Sequence, residues 1–416
     1  MVSKKRIVTQ RKGSAEINHL DSNRGTRNDT PVPSNSTDEP TNTPTRMEEY
    51  LNRVAPVVLA VTYWFEPLSK ANVSSYTIRL IGKRLDVIGR AQPADQFSSE
   101  VTVNDVVDGS GPVAVMTKIE GVNPGTWEVS TTMVPPPRPA TGYTGSRTKP
   151  FRVGGVPPVY RAAWSWRKWK LLAAPTTPIE TCLAPFAKPP AVILGSWAVL
   201  VAVGIAAALG TQLWIVDSLK LDPGRVLIAS IISILAGGIG AKLWFIVLHL
   251  HEKRREGWCL QGMVAGIVVA FPALLEMLHL PIASVIDAST PGIMIGLAIG
   301  RLGCFFTGCC AGRPTRSRWG VWSSDRCVGM RRIPTQLMES GLALLIGVTV
   351  FTAIHFENTF HGALFVAALS AYTLIRQGLL RLRLERRKSR LGGPFTAIVA
   401  AVVLAGMLVL LIAGWS

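Results

Sequence analysis

One stretch of the sequence, GRLGCFFTGCCAGRPT, gathers side chains that could perform chemistry at the end of an apolar run. It contains Arg301 and three cysteines, Cys304, Cys309 and Cys310. If the run continues as a helix, Arg301, Cys304 and Gly308 lie on one face. A guanidinium group within a membrane needs an anion or water, and the nearby glycines allow a ligand to approach closely. The stretch therefore predicts an anion site, with a snorkelling arginine as the simpler alternative.

The cysteines of this stretch allow three interpretations. Their spacing, C-x4-C-C, matches no standard zinc or iron–sulfur pattern, although Cys327 could supply a fourth thiolate. A cysteine beside arginines can have a lowered pKa, which would make it a nucleophile or a redox group. A buried cysteine can also serve only as a small apolar filler. Packing, thiol chemistry and metal binding therefore all stay open.

Transmembrane helices must position these side chains. The chain of 416 residues has a net charge of +18 with only 17% charged residues, and its mean hydropathy is +0.30. Because the basic residues lie between apolar runs, anionic lipid headgroups are a nearer partner than nucleic acid. Seven runs approach the roughly 20 residues that cross a bilayer: about 191–216, 226–250, 259–278, 288–306, 334–354, 361–380 and 393–415. We predict a multi-pass α-helical membrane protein with seven transmembrane helices. Asp287, in a polar break between two runs, should face protein or water.

Three segments precede the helices. Residues 1–45 are rich in Ser, Thr, Asn and Pro and lack apolar periodicity, which predicts a disordered tail. Residues 46–134 alternate with a period of two, which predicts a small β-sandwich of the fibronectin III or immunoglobulin type. We interpret it as a spacer or interaction module rather than a ligand-binding domain, with its partner unknown. Residues 135–190 form a Pro-rich linker, whose segment YRAAWSWRKWKLL mixes tryptophans and cations as interfacial segments do.

From about residue 190 to 415 the sequence resembles the prolipoprotein diacylglyceryl transferase family. The family signature, roughly G-R-I-G-N-F-x-N-G-E-x-x-G-x-x-T, is matched at Gly300, Arg301, Gly303, Phe305, Gly308, Gly312 and Thr315. The family's preceding D-x-x-x-P-x-x-x-x-G pattern is matched at Asp287, Pro291 and Gly296. Its later H-P-S-Q-L-Y-E segment is matched at Pro334, Gln336, Leu337 and Glu339, and its pair of late arginines at Arg376 and Arg383.

The resemblance implies transfer of a diacylglyceryl group from phosphatidylglycerol to the lipobox cysteine thiol of a secreted precursor, with glycerol phosphate leaving. Arg301 and Arg376 would hold the phosphate, since arginine supplies paired donors in a fixed fork. Arg383 would support the headgroup, while Gln336 and Glu339 would order the polar pocket. The remaining substrate-binding positions would be Cys304, Gly308, Cys309 and Gly312. The resemblance implies no cofactor and no metal, and it places the protein in the plasma (cytoplasmic) membrane.

Several positions depart from the family pattern. Gln261 stands where the family has a histidine that is a candidate base for the thiol, and glutamine cannot take up a proton. Cys304 and Cys309 replace an Asn and a Glu of the signature, and Leu380 replaces a Glu between the late arginines. We therefore expect the catalytic positions to be Arg301, Arg376 and Gln261, with much of the proton-handling half missing. The alternative function is a non-catalytic protein that binds anionic phospholipid and recruits a partner through its N-terminal domain.

Charge distribution and family topology predict opposite orientations. The loops after the second, fourth and sixth runs carry most of the basic residues, which by the positive-inside rule places them in the cytoplasm. Family topology places the signature outside, and arginines that bind phospholipid do not report topology, so we favour the outward orientation. The six arginines between residues 313 and 332 are interpreted as an apron facing phospholipid, with a solvated loop as the alternative.

Overall fold

The computed structural model describes residues 10–12, 55–67, 74–107, 109–134, 161–165, 168–172, 178–248, 259–356, 362–384 and 391–413. The chain divides into two compact units. The first comprises Met1–Pro190 with Arg326–Arg331, and the second comprises Ala191–Asp325 with Arg332–Ser416. Most of the predicted disordered tail and much of the predicted linker lie outside the described residues.

The first unit consists of curled antiparallel β-sheet. Its strands are β1 (Gln10–Lys12), β2 (Val57–Phe65), β3 (Ser74–Arg84), β4 (Gln96–Val106), β5 (Val113–Glu120), β6 (Thr126–Val134), β7 (Arg161–Ser165), β8 (Lys168–Leu172), β9 (Ile179–Glu180) and β10 (Cys182–Leu183). One sheet has the order β1, β4, β3, β6, β9, while β7 and β8 form a separate hairpin. Two short strands from the predicted linker, β9 and β10, pair with β6 and β2, and β1 comes from the predicted tail.

The predicted period of two produces the core of this unit. Ile78 and Leu80 on β3 are fully buried, and so is Trp127 on β6. The indole N–H of Trp127 donates to the carbonyl oxygen of Asn123 at 3.1 Å, which ties the segment before β6 to the core. These residues confirm a β-sheet region separate from the helices, whereas the sandwich arrangement stays a prediction.

A segment from beyond the fourth predicted run completes the same core. The chain has two further strands, β11 (Val321–Ser324) and β12 (Val328–Arg332). Within the first unit, Val328 pairs with Val115 of β5, and Met330 is fully buried in the core. The sequence pattern did not predict this strand, because Arg326 lies just before it and its own last two residues are Arg331 and Arg332.

The second unit is helical. Its helices are α1 (Ser196–Ser218), α2 (Pro223–Leu248), α3 (Leu260–Met277), α4 (Ile282–Thr307), α5 (Thr335–Phe356), α6 (Ala363–Leu382) and α7 (Gly392–Ile412). Six of them, all except α3, are long and apolar enough to cross a membrane. The third predicted run is therefore a helix, but its 18 residues span only about 27 Å at 1.5 Å per residue. Seven crossings are not confirmed by helix length.

Glycines set the close packing of the helices. A Cβ atom on Gly296 of α4 would lie 2.8 Å from the carbonyl oxygen of Gly204 on α1, and one on Gly292 would lie 2.3 Å from that of Ala208. On α3, a Cβ atom on Gly262 would lie 2.3 Å from the carbonyl oxygen of Gly240 on α2. Small residues at such crossings let the helix backbones approach closely. Close packing is important in a membrane, because the hydrophobic effect does not drive helices together in lipid. Thus α1 packs on α4, and α3 packs mainly on α2.

Asp287 lies inside α4 rather than in a polar break between two runs. Its side chain is 4% exposed, and its carboxylate accepts hydrogen bonds from the backbone N–H groups of Gly362 at 2.7 Å and Phe365 at 2.9 Å. These groups belong to the start of α6, where backbone N–H groups have no partner within the helix. The expectation that Asp287 faces protein is confirmed, and the contact fixes where α6 begins.

Candidate functional site

Three arginines converge on one buried carboxylate. Glu339, one turn into α5, has no solvent exposure. Its Oε1 atom lies 3.1 Å from Nη2 of Arg301 and 2.7 Å from Nη1 of Arg376. Arg383, directly after α6, donates to the other carboxylate oxygen. The structure therefore brings together four predicted site residues that come from three separate parts of the chain.

The charges of this arginine–glutamate cluster do not cancel. Three guanidinium groups share one carboxylate, which leaves two positive charges. Within the part of the chain that the structure describes, the buried Nε of Arg383 has no hydrogen-bond partner. Arg376 is the most open of the three, with 29% of its side chain exposed against 13% for Arg301 and 5% for Arg383. Because partly buried charges need counter-ions, the cluster suits a phosphate that approaches at Arg376.

Tyr372 is a member of the cluster that the sequence analysis missed. Its hydroxyl donates to Oε1 of Glu339 at 2.7 Å. It precedes Arg376 by four residues on α6, so both side chains lie on one face of that helix. This spacing was the signal in the sequence, but a tyrosine in an apolar helix did not stand out from other aromatic residues.

The turn after α4 carries the signature glycines. Gly308 ends α4 with φ at +71°, a left-handed conformation that favours glycine. A Cβ atom on Gly312 would lie 2.0 Å from the carbonyl oxygen of Ile333, so only glycine fits there. Both residues were predicted to bind substrate, and the structure gives each of them a backbone role in shaping the turn.

This turn is joined to the end of α6. The backbone N–H of Arg313 donates to the carbonyl oxygen of Leu382 at 2.9 Å, and that of Leu384 donates to Ala311 at 3.0 Å. Because Arg383 lies between Leu382, the last residue of α6, and Leu384, its backbone is held against the turn. The arginine beside Glu339 is thus positioned by the family signature itself.

One arginine of the predicted phospholipid-facing apron has a different role. Arg332 is fully buried. Its Nη2 lies 2.8 Å from Oδ2 of Asp325, and its Nη1 donates to the carbonyl oxygen of Gly312 at 3.4 Å. The interpretation as an apron facing phospholipid is therefore wrong for Arg332. This side chain instead stabilises the turn after α4 through its hydrogen bond to Gly312.

Polar side chains at the start of α5 hold the cysteines of the turn. The amide of Gln336 donates to the carbonyl oxygen of Cys309 at 2.9 Å, and the Thr335 hydroxyl donates to that of Cys310 at 3.4 Å. Cys304, 8% exposed in the last turn of α4, has its sulfur 3.9 Å from Nη1 of Arg301. The predicted site residues Gln336, Cys304 and Cys309 are therefore next to the arginine–glutamate cluster.

The two thiols of the turn differ in acidity. Hydrogen bonding with the side chains of Cys304 and Cys310, together with burial, raises the pKa of Cys309. Hydrogen bonding with Cys304 and Cys309, and then the charges of Arg383 and Arg301, hold the pKa of Cys310 well below its ordinary value. No group of three or more His, Cys, Asp or Glu side chains among the described residues is arranged to hold a metal ion.

Gln261 is not brought to this cluster by any contact in the described structure. It is exposed in the first turn of α3, and its side-chain oxygen lies 3.9 Å from the sulfur of Cys259. Since α3 packs mainly on α2, the position aligned with the family histidine is not part of the arginine–glutamate cluster.

Comparisons with known proteins identify the family of the helical part of the chain. Residues 188–414 match the family model described as prolipoprotein diacylglyceryl transferase. A phosphatidylglycerol–prolipoprotein diacylglyceryl transferase from Dehalococcoides mccartyi is 28% identical over 198 residues, which are 43% of this chain and 74% of that protein. One from Gloeobacter violaceus is 28% identical over 243 residues, covering 53% and 87% of the two chains. Since the family model covers more than half of the sequence, the chain belongs to the prolipoprotein diacylglyceryl transferase family.

Proposed function

We propose that this protein transfers a diacylglyceryl group from phosphatidylglycerol to the thiol of a lipobox cysteine in a prolipoprotein. The observation that carries the proposal is the arginine–glutamate cluster around Glu339, built by apolar helices. Relatives whose names state both substrates support it. Arg301 and Arg376 bind the phosphate of the lipid. The buried Nε–H of Arg383, which has no hydrogen-bond partner among the described residues, is a further donor that we propose for the same phosphate.

The charge of the cluster fits the course of this reaction. The acceptor sulfur forms a bond to the glycerol carbon next to the phosphate, and the C–O bond breaks. Its electron pair stays on the departing glycerol phosphate, so the phosphate changes from one negative charge to two. The cluster carries two positive charges beyond those that Glu339 compensates. It therefore binds the developing charge more strongly than the ground state, which is how electrostatic catalysis lowers a barrier.

Glu339 and Tyr372 position the arginines for this task. Three guanidinium groups repel one another, and the carboxylate between them holds their planes in place. Donors that are fixed before the reaction need no reorganisation when charge develops. Glu339 accordingly serves as an anchor for the arginines rather than as a proton acceptor.

We further propose that all seven helices cross the plasma membrane. Residues 328 and 329 pair with β5, so this segment and the strands that precede α1 are on one side of the membrane. The chain must then cross an even number of times between them. Since α1, α2 and α4 are long enough to cross, α3 must cross as well. The β-sheet region, which we propose to be a sandwich, then shares a side with the turn after α4, and this is the outer side.

Complementation and transfer assays together test the proposed function. The gene is expressed in a bacterium depleted of its own transferase, and diacylglyceryl on a reporter lipoprotein is measured. In parallel, the purified full-length protein in nanodiscs receives labelled phosphatidylglycerol and a lipobox peptide. Arg376→Ala should lower the transfer rate by about 10² to 10³, as does the loss of one donor to a developing oxyanion.

A matched variant separates the cluster from general effects of charge. Arg225 lies at the start of α2, is 57% exposed and pairs only with Asp222 among the described residues, so Arg225→Ala should transfer at the native rate. If native protein binds phosphatidylglycerol but shows no transfer in either assay, the transferase proposal is wrong. The non-catalytic lipid-binding function then replaces it.

A further inference from the structure

Strands β7 and β8 form a hairpin that the proposed transfer reaction does not use. They pair in antiparallel register, from Arg161 opposite Leu172 to Ser165 opposite Lys168. Among the described strands, β7 and β8 pair only with each other and belong to neither of the larger sheets. Because a two-stranded hairpin alone is only marginally stable in water, an apolar face on it needs a cover.

The register divides the hairpin into two faces of different chemistry. Directly paired residues share a face, and successive residues of a strand alternate between the faces. Trp164 pairs with Trp169 and Ala162 pairs with Leu171, so one face carries only apolar residues. The opposite face carries the three cationic residues of the two strands and their neighbours: Arg161, Ala163, Ser165, Lys168, Lys170 and Leu172. The hairpin is therefore amphipathic.

The charge around the hairpin has one sign. Between Glu128 and Glu180 the sequence contains eight lysines and arginines and no acidic residue. The neighbouring strands β3 and β4 differ, because Arg79 of β3 pairs with Glu100 of β4 at 2.7 Å. A segment of about 50 residues whose own sequence does not compensate its positive charge is complementary to an anionic partner.

The surface of an anionic bilayer satisfies both faces of the hairpin at once. Tryptophan is enriched where a membrane meets water, because its indole ring has an apolar body and a polar N–H group. Long cationic side chains reach the level of the lipid phosphates while the backbone that carries them lies deeper. An acidic protein would complement only the cationic face and would leave Trp164 and Trp169 without a cover. The two faces together therefore favour lipid as the partner.

The backbone limits how deeply the hairpin lies. A two-stranded sheet has two edges of unpaired N–H and C=O groups, which are costly in hydrocarbon but can bind water in the headgroup layer. Helix α1, which is long enough to cross a membrane, begins at Ser196, about 24 residues after β8. This length of chain extends at most about 85 Å. The hairpin is thus tethered within reach of the bilayer.

We propose that the β7–β8 hairpin lies in the headgroup layer and binds the surface of an anionic phospholipid bilayer. The face that carries Trp164 and Trp169 is turned toward the acyl chains, and the cations of the opposite face bind lipid phosphates. The contact anchors this part of the first unit at the membrane surface. It goes beyond the proposed transfer reaction and does not depend on it.

Hydrogen exchange tests the contact in the full-length protein. The protein is placed in nanodiscs of phosphatidylcholine alone or with phosphatidylglycerol, and mass spectrometry follows the backbone amides of residues 161–172. These amides should exchange about ten-fold more slowly or less when phosphatidylglycerol is present, since each cation near an anionic surface strengthens binding about five-fold. Phosphatidylserine should protect them equally, because it is also anionic. High salt should weaken the protection, since it screens exposed charges.

Two double variants separate the cations of the hairpin from charge in general. Lys168→Gln with Lys170→Gln should weaken the contact about 25-fold and remove most of the protection. Lys83→Gln with Arg90→Gln removes the same charge from exposed positions on β3 and in the loop after it, and it should leave the protection unchanged. Native exchange of β5 and β6 in both double variants excludes a folding defect.

Crosslinking identifies what covers the apolar face. Phosphatidylglycerol with a photoreactive group at the top of its acyl chain should label the peptide that contains residues 161–172. Trp164→Ala with Trp169→Ala should remove most of this labelling, because the indole rings then no longer hold the face against the lipid.

Three results would overturn the proposal. Protection without lipid labelling means that protein covers the hairpin. Equal exchange with and without phosphatidylglycerol means that lipid charge has no role. Protection by phosphatidylglycerol but not by phosphatidylserine indicates a specific headgroup site rather than a surface. None of these measurements requires turnover, so a native protein that fails to transfer diacylglyceryl refutes the proposed function and leaves the hairpin contact to be decided by its own tests.

Discussion

Replacing Glu339 by glutamine should reveal what holds the arginine–glutamate cluster together. The carboxylate is fully buried and accepts from Arg301, Arg376, Arg383 and Tyr372. Glutamine has nearly the same shape but offers one oxygen and one NH₂ group. Whichever way the amide is turned, at least one arginine then faces a donor. Three like charges are left without a counter-ion inside the helical unit.

Removing one partner of a buried ion pair costs about 3 to 5 kcal/mol, because the remaining charge is uncompensated. Arg376 is 29% exposed, so water screens part of its charge. The cost of leaving Arg376 without its counter-ion is therefore expected in the lower half of this range. For a unit of roughly 220 residues, a loss of 3 to 5 kcal/mol lowers Tm by roughly 6 to 20 °C. An anionic lipid phosphate should restore part of this loss, since it supplies the missing negative charge.

The assay is thermal unfolding of native protein and Glu339→Gln in nanodiscs of phosphatidylcholine with and without phosphatidylglycerol. Phosphatidylglycerol should raise the Tm of Glu339→Gln more than that of native protein. Asp287→Asn is the matched control, since it also removes a buried carboxylate. That carboxylate belongs to α4, and it binds the backbone at the start of α6 rather than the arginines. Asp287→Asn should lose stability without a larger lipid response. An equal lipid response in native protein and Glu339→Gln would refute the electrostatic reasoning.

Three further predictions concern separate parts of the molecule. Arg301→Ala and Arg376→Ala should each weaken phosphatidylglycerol binding by about 10- to 100-fold, given ~1.5 to 3 kcal/mol for a charge-assisted hydrogen bond; unchanged lipid binding in both variants would show that the cluster holds no phosphate. Gly312→Ala should destabilise the helical unit by about 1 to 3 kcal/mol because its Cβ atom would meet a backbone carbonyl at 2.0 Å, whereas Gly300→Ala, with nothing within 4 Å, should be neutral or stabilising in the same unfolding assay. A cysteine at the fully exposed Ile88 should react with a membrane-impermeant maleimide in intact cells; protection there would place the β-sheet region in the cytoplasm.

Much of the candidate site could be predicted from the sequence because its residues are tied to local patterns. Arg301 and Arg376 each occupy a position in a helical run, and family spacing links them to Glu339 and Arg383. Tyr372 was missed because its role depends on which face of α6 meets α5. A periodic apolar pattern does not specify that face in a helix surrounded by other helices and lipid.

The strand at Val328–Arg332 was missed for a different physical reason. Its partner, β5, lies about 200 residues earlier in the chain, and pairing over such a separation leaves no periodic signal in a five-residue strand. Arginines beside it favoured the interpretation as a basic loop.

The contacts of two loop arginines bear on the choice between the two predicted orientations. The rule assumes that loop cations are free to stay with the negative side of the membrane potential and with anionic lipid. Arg332 is instead neutralised by Asp325, and the Nε of Arg313 donates to the carbonyl oxygen of Arg383 at 3.3 Å. The positions of cations with fixed partners reflect the structure of the site, and they do not indicate which side of the membrane a loop is on. The proposal that all seven helices cross the membrane does not use loop charge, because it is argued from the pairing of β5 with β12.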